Sequence, residues 1–218
     1  MAQQFDITFL HTDQVHVTTF TDLINSYAGS ITINHIVKPQ LLEAAIQNGI
    51  TKKLTDSVEE ILQQADRHSK LVVCSCSTLG SIAENTLLDS GQYALRIDRA
   101  MANIAVNEGQ RILVLAALES TIPATSVLMK MSQQLQNVEN EIDYYVIEDS
   151  WQYFLNGQYE LYNKTIAEVI ERKKMDYDCV LLAQASMVGA TRLIKEKRPL
   201  IISSPECGVK DLIQRLIQ

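Results

Sequence analysis

The residues best equipped for chemistry in this chain gather where apolar runs end. LVVCSCSTLG (71–80) closes an apolar segment with two cysteines, hydroxyl residues and a glycine. Cys76 ends the run, directly ahead of STLGSIAENT, a stretch of helical character. A thiol at a helix N-terminus gains thiolate stability from the positive end of the helix dipole, which predicts a pKa below about 8.5. Free amides there, with the hydroxyls of Ser77 and Thr78, form a cradle for a carboxylate. Such a thiolate can remove or return a proton beside a bound carboxylate, or attack an unsaturated carbon. Cys74, two residues deeper, reads as a packed side chain, the common fate of a free cysteine.

Cys179 and Cys207 complete a set of four cysteines, which makes no disulfide framework in a chain of 218 residues. There is no C-x-x-C pair, and no Cys/His cluster follows Cys74 and Cys76 at zinc-binding spacing, so no metal is expected. Without a glycine-rich phosphate loop, G-x-G-x-x-G or G-x-S-x-G, neither a nucleotide cofactor nor a hydrolase elbow is expected. A net charge of −7 argues against nucleic acid or an anionic membrane as partner. A few local donors still suffice for a small carboxylate or amino-acid substrate. No basic-then-apolar leader opens the chain, and no apolar run approaches the ~20 residues that span a bilayer. The expected setting is cytoplasmic.

The elements that must position Cys76 are legible as alternating patterns. FDITFLHT (5–12), ITINHIV (31–37), KLVVCSCS (70–77), RILVLAAL (111–118), IDYYVIED (142–149), CVLLAQ (179–184) and PLIIS (199–203) read as strands. Helical periodicity falls between them, as in QLLEAAIQNG behind Pro39, and GVKDLIQRLI closes the chain. Alternation of this kind predicts an α/β fold with parallel sheets covered on both faces.

The two halves also align with each other. Placing Cys76 on Gln184, an offset of 108 residues (184 − 76), lays VCSCSTL (73–79) over LLAQASM (181–187). The same offset lays FLHT (9–12) over ALES (117–120), so His11 falls on Glu119 and Thr12 on Ser120. Two similar doubly wound halves related by pseudo-two-fold symmetry follow, residues 1–98 with 204–218 and residues 99–203. Ligands of open α/β sheets bind beyond the carboxyl ends of the strands. The expected cleft between the halves is lined by His11, Thr12, Cys76, Ser77 and Thr78 on one side. Glu119, Ser120, Thr121, Gln184, Ala185 and Ser186 line the other.

LVVCSCSTLG, LRIDRAMANIA (95–105), RILVLAALEST (111–121), DCVLLAQASMVG (178–189) and IISSPECGV (201–209) together resemble the aspartate/glutamate/hydantoin racemase superfamily. Its members include cofactor-independent racemases, maleate isomerases and arylmalonate decarboxylases. The resemblance implies two like α/β domains, no pyridoxal phosphate and no metal, and often a homo-oligomer. It implies that Cys76 is one of two cysteines that flank the substrate α-carbon, that Thr121 binds the substrate carboxylate, and that His11 and Thr12 touch substrate.

The second half departs from that pattern. Where racemases carry the second cysteine, this chain has Gln184, which hydrogen-bonds but does not titrate near neutrality. Cys179 starts its strand, about 16 Å away in extended chain, and cannot substitute. The expected activity is racemase or epimerase action on a small amino acid or related carboxylate, with Glu119 or His11 as second base. One-cysteine decarboxylation, cis–trans isomerisation of a small dicarboxylate, and non-catalytic binding of a small acid stand beside it. Asp98 reads as the cap of the helix that follows it, and Arg99 as solvated.

Overall fold

The computed structural model describes residues 4–196 and 198–217. Contacts divide the chain into two units, one ending at Asp98 and resuming at Pro205, the other spanning Arg99–Ser204. In the first, β1 (Phe5–His11), β2 (Ile33–Val37), β3 (Ser69–Cys74) and β4 (Leu95–Arg96) form a parallel sheet in the order β2-β1-β3-β4. Its helices are α1 (Val15–Tyr27), α2 (Pro39–Asn48), α3 (Lys52–Asp66) and α4 (Gly80–Asn85). In the second, α5 (Arg99–Glu108) precedes β5 (Arg111–Ala116), α6 (Thr121–Gln136), β6 (Glu141–Val146), α7 (Ser150–Leu155), α8 (Tyr159–Lys173), β7 (Cys179–Leu182) and β8 (Leu200–Ser203). These strands are again parallel, in the order β6-β5-β7-β8. Helix α9 (Ser204–Ile217) returns the chain to the first unit. Among the described residues no helix is long and apolar enough to cross a membrane.

Local chemistry explains the elements around β3. Pro39 starts α2, where its missing N–H costs nothing. Thr51 caps α3, its hydroxyl oxygen accepting from the Leu54 amide at 3.3 Å. Leu54, Val58, Leu62 and Ala65 then form the buried face of α3. That face packs with Leu10, Val72, Cys74 and Cys76 in one cluster, so Cys74 is a core side chain. Close approach decides how α9 docks: a Cβ at Gly208 would strike the Ile97 carbonyl oxygen just beyond β4.

Side chains alternate along β1, so Phe9 and His11 occupy the face opposite Leu10. Helix α1 covers that face, stacking Phe20 on Phe9 at 4.9 Å and on His11 at 5.6 Å between ring centroids. A string of hydrogen bonds crosses the same layer. Ser75 Oγ donates to the Leu10 carbonyl at 3.3 Å and accepts from His11 Nδ1 at 2.7 Å. His11 Nε2 accepts from His35 Nδ1 at 2.8 Å, and His35 Nε2 accepts from the Thr21 hydroxyl at 3.0 Å. One proton arrangement satisfies every step with both rings neutral.

Burial is the main reason those rings stay neutral. It holds the His11 pKa down to about 2 and that of its neighbour His16 to about 4, and lowers that of His35. A histidine that cannot protonate when folded withdraws stability as pH falls below its unfolded value of about 6.5. Urea unfolding is therefore expected to lose roughly 4 kcal/mol between about pH 7 and pH 5, roughly half from His11 and half from His16. His11→Phe should remove about half of that dependence. Equal stability at the two pH values would contradict the packing.

Candidate functional site

Cys76 stands two residues beyond β3 in extended backbone, and one 3-10 turn, Ser77–Leu79, joins it to α4. The Thr12 hydroxyl and the amides of Thr78 and Leu79 lie where they favour a thiolate at residue 76, and the Leu79 amide donates to the Cys76 carbonyl at 3.1 Å. Thr12, Cys76, Ser77 and Thr78 are all buried. The structure therefore brings four expected site residues together at one strand end. The expected depression of the thiol pKa is not found. Burial outweighs the effect of these donors, the nearby Asp98 carboxylate adds to it, and the pKa rises. Helix α4 has six residues, starts four positions later, and supplies too little dipole to reverse this. Cys76 is a protonated thiol at rest.

His11 does not join that group. Its side chain lies on the α1 face of the sheet, whereas Cys76 packs with Leu10 and Cys74 on the other. Both ring nitrogens are engaged, by Ser75 and by His35. His11 ties the end of β1 to the end of β3, and the thiol stands across the sheet.

The second unit requires a change of register. The Ser75 amide donates to the Leu10 carbonyl, and the Ala183 amide to the Leu115 carbonyl. Likewise the Lys38 amide donates to the His11 carbonyl, and the Ile147 amide to the Ala116 carbonyl. The third strands thus keep the offset of 108 (183 − 75), and Cys76 corresponds to Gln184. The first strands correspond at 105 (116 − 11), so His11 matches Ala116 and Thr12 matches Ala117. Glu119 and Ser120 are not the counterparts of His11 and Thr12. The same offset carries the buried residues of α1, His16, Phe20 and Ile24, onto Thr121, Thr125 and Met129 of α6.

Glu119 is exposed, in the bend between β5 and α6, while the Ser120 hydroxyl is buried without a hydrogen-bond partner. Thr121 is buried in the first turn of α6. Gln184 Oε1 accepts from the Ala117 amide at 2.6 Å, which ties β7 to the end of β5. Thr12 and Ala117 are counterparts, so each unit closes the same gap differently: a hydroxyl on a thiol in one, a carboxamide on a main-chain amide in the other. Ala185 is buried, and Ser186 Oγ hydrogen-bonds the Tyr162 hydroxyl at 2.9 Å. Among the described residues no group of three or more His, Cys, Asp or Glu could hold a metal ion.

The sequence analysis did not anticipate the partners of Asp98 and Arg99. Asp98 pairs with Arg96 at 2.6 Å, and Arg99 donates to the Leu128 carbonyl and to Ser132 Oγ. The patterns that could have marked Arg96 are faint, since β4 has only two residues. A cavity of about 640 Å³ runs along Lys70, Leu71 and Val72 of the first unit, toward the start of β3.

No protein-family profile and no curated protein sequence matches the chain. Solved structures do. A glutamate racemase from Bacillus anthracis superposes with a TM-score of 0.76 at 16% identity, covering 99% of this chain and 82% of that one. For an allantoin racemase from Klebsiella pneumoniae the values are 0.67, 15%, 98% and 88%. For an aspartate racemase from Picrophilus torridus they are 0.65, 15%, 97% and 94%. The chain has the α/β fold of the aspartate, glutamate and allantoin racemases.

Proposed function

We propose that this chain is a racemase-like isomerase that needs no cofactor and moves a proton at the α-carbon of a small amino acid or related carboxylate through Cys76. The observation that carries the reading is the setting of Cys76: a strand-end thiol, in a racemase fold, held by the Thr12 hydroxyl and the Thr78 and Leu79 amides. Those three donors stabilise the thiolate once it forms. A thiolate of raised pKa is scarce at neutral pH but is the stronger base for a carbon acid. It takes the α-proton and becomes a thiol, and the electron pair stays on the substrate as an enolate-like carbanion. Donors around the substrate carboxylate, such as the hydroxyls of Ser77 and Thr78, lower the energy of that anion.

Racemisation also needs a proton donor on the opposite face. Gln184 has no titrating proton to give, and its carboxamide oxygen is committed to the Ala117 amide. This favours a second reading, in which the thiol delivers one proton after carbon dioxide leaves a malonate-type acid, or adds to an unsaturated dicarboxylate during cis–trans isomerisation. In both, Cys76 acts from one side.

Incubating a panel of amino acids and small dicarboxylates in deuterium oxide separates these readings by NMR. Deuterium at the α-carbon with both enantiomers formed supports racemisation, and deuterium in one configuration supports one-sided chemistry. Cys76→Ala should lower either rate by at least about 10²-fold. A wild-type protein that binds a small carboxylate yet neither exchanges, isomerises nor decarboxylates any of the panel is a binding protein, and the enzyme reading fails. Glu119→Gln should keep activity within about two-fold, because the Glu119 side chain is exposed in the turn past the end of β5. A loss of 10²-fold in its kcat would make Glu119 the second base.

A further inference from the structure

Arg96 is a buried arginine at the end of β4, with its Nε 2.6 Å from Asp98 Oδ1 and its Nη2 3.0 Å from Asp98 Oδ2. The two side chains are only 1% and 2% exposed. Register with Cys74 puts Arg96 on the face that holds Cys74 and Cys76. There the guanidinium lies on Gly80, the residue that follows the Ser77–Leu79 turn. A Cβ at Gly80 would come within 2.7 Å of Arg96 Cζ and Nε, so this seat exists only because residue 80 is glycine. Nη1 is buried without a hydrogen-bond partner, 3.6 Å from Glu84 Oε2 on α4.

The second unit serves as an internal control. Leu182 pairs with Ser203 as Cys74 pairs with Arg96, so the counterpart of Arg96 is Ser203. The counterpart of Gly80, at the offset of 108, is Val188. There an uncharged serine stands at the position of Arg96, so the corresponding strand end is built without this ion pair. A buried pair loses its hydration, and well-packed apolar residues of similar volume are often as stable or more so. The fold does not require the charges, and they occur in the unit that carries the thiol.

We infer that Arg96 is a positioning residue for Cys76: locked by Asp98 and seated on Gly80, its guanidinium fixes the Ser77–Leu79 turn, and with it the sulfur against Thr12 and the Thr78 and Leu79 amides. The inference rests on Cys76 being the reactive residue of the proposed function. Asp98 just beyond β4 and Cys74 on β3 are the titratable groups that act on the thiol, Arg96 acts on Cys74, and Glu84 on α4 faces Arg96.

The test is a double-mutant cycle between Arg96→Lys and Thr12→Val in the full chain. Its readout is the pH midpoint of Cys76 alkylation by iodoacetamide, followed by mass spectrometry, with Cys207 on α9 as control thiol. Lysine keeps the charge but cannot make the two-pronged bond to Asp98 or cover Gly80. Each single change should raise the midpoint by about one pH unit, and together they should raise it no further than one alone, with Cys207 unmoved. An unchanged midpoint in Arg96→Lys, or two shifts that add in full, would overturn the inference. Should Arg96→Lys fail to fold, the apolar pair Arg96→Met/Asp98→Leu takes its place, and the inference then stands or falls on whether Thr12→Val still moves the midpoint. Alkylation needs no turnover. Coupling without exchange activity would refute the proposed function alone, and exchange activity without coupling would refute this inference alone.

Discussion

The Ser75 amide donates to the Leu10 carbonyl at 3.0 Å, one step past the last paired residues of β1 and β3. Because side chains alternate along each strand, this bond assigns every neighbour to a face. His11 and Ser75 meet on the α1 side, where the imidazole joins a neutral string that reaches Thr21. Thr12 and Cys76 meet on the opposite side, where the hydroxyl favours the thiolate. A slip of one residue would exchange the two sets. The histidine string thus serves the thiol indirectly, by holding the strand ends in this register.

Low dielectric at the strand ends then sets the electrostatic state of each group. Burial opposes charge on His11, His16 and Cys76 alike. The exception is Arg96 with Asp98, where each charge answers the other in a two-pronged bond. A thiol kept protonated by burial lies among donors that oppose that effect without reversing it.

Much of this was legible in the residues, and the failures have physical causes. Strands with β-branched and apolar runs announced themselves, and the pairing of Cys76 with Gln184 survives because β3 and β7 reach their ends at the same offset. The pairing of His11 with Glu119 fails because the first strands correspond at 105: FLHT and ALES both end an apolar run, but the apolar run of β5 continues past its strand through Ala117 and Leu118. Strand β4 was missed, since two residues carry no period. Asp98 looked like a helix cap because a carboxylate before a helix usually is one. The fold adds that a buried guanidinium two residues earlier pairs with it. The thiol pKa was misjudged because desolvation, which sequence does not display, exceeds what a short helix supplies.

The two units solve one structural problem with different chemistry. Thr12 and Cys76 close the strand ends in the first, and Gln184 and the Ala117 amide close them in the second. The central claim is that the first closure is where substrate carbon is worked upon. A crystal structure of the Cys76→Ser variant with a small carboxylate substrate tests it most directly. The claim predicts the α-carbon about 3.5 Å from the residue 76 hydroxyl, with the carboxylate held by hydroxyls or amides of Ser77 or Thr78. A ligand bound away from residue 76 would contradict it.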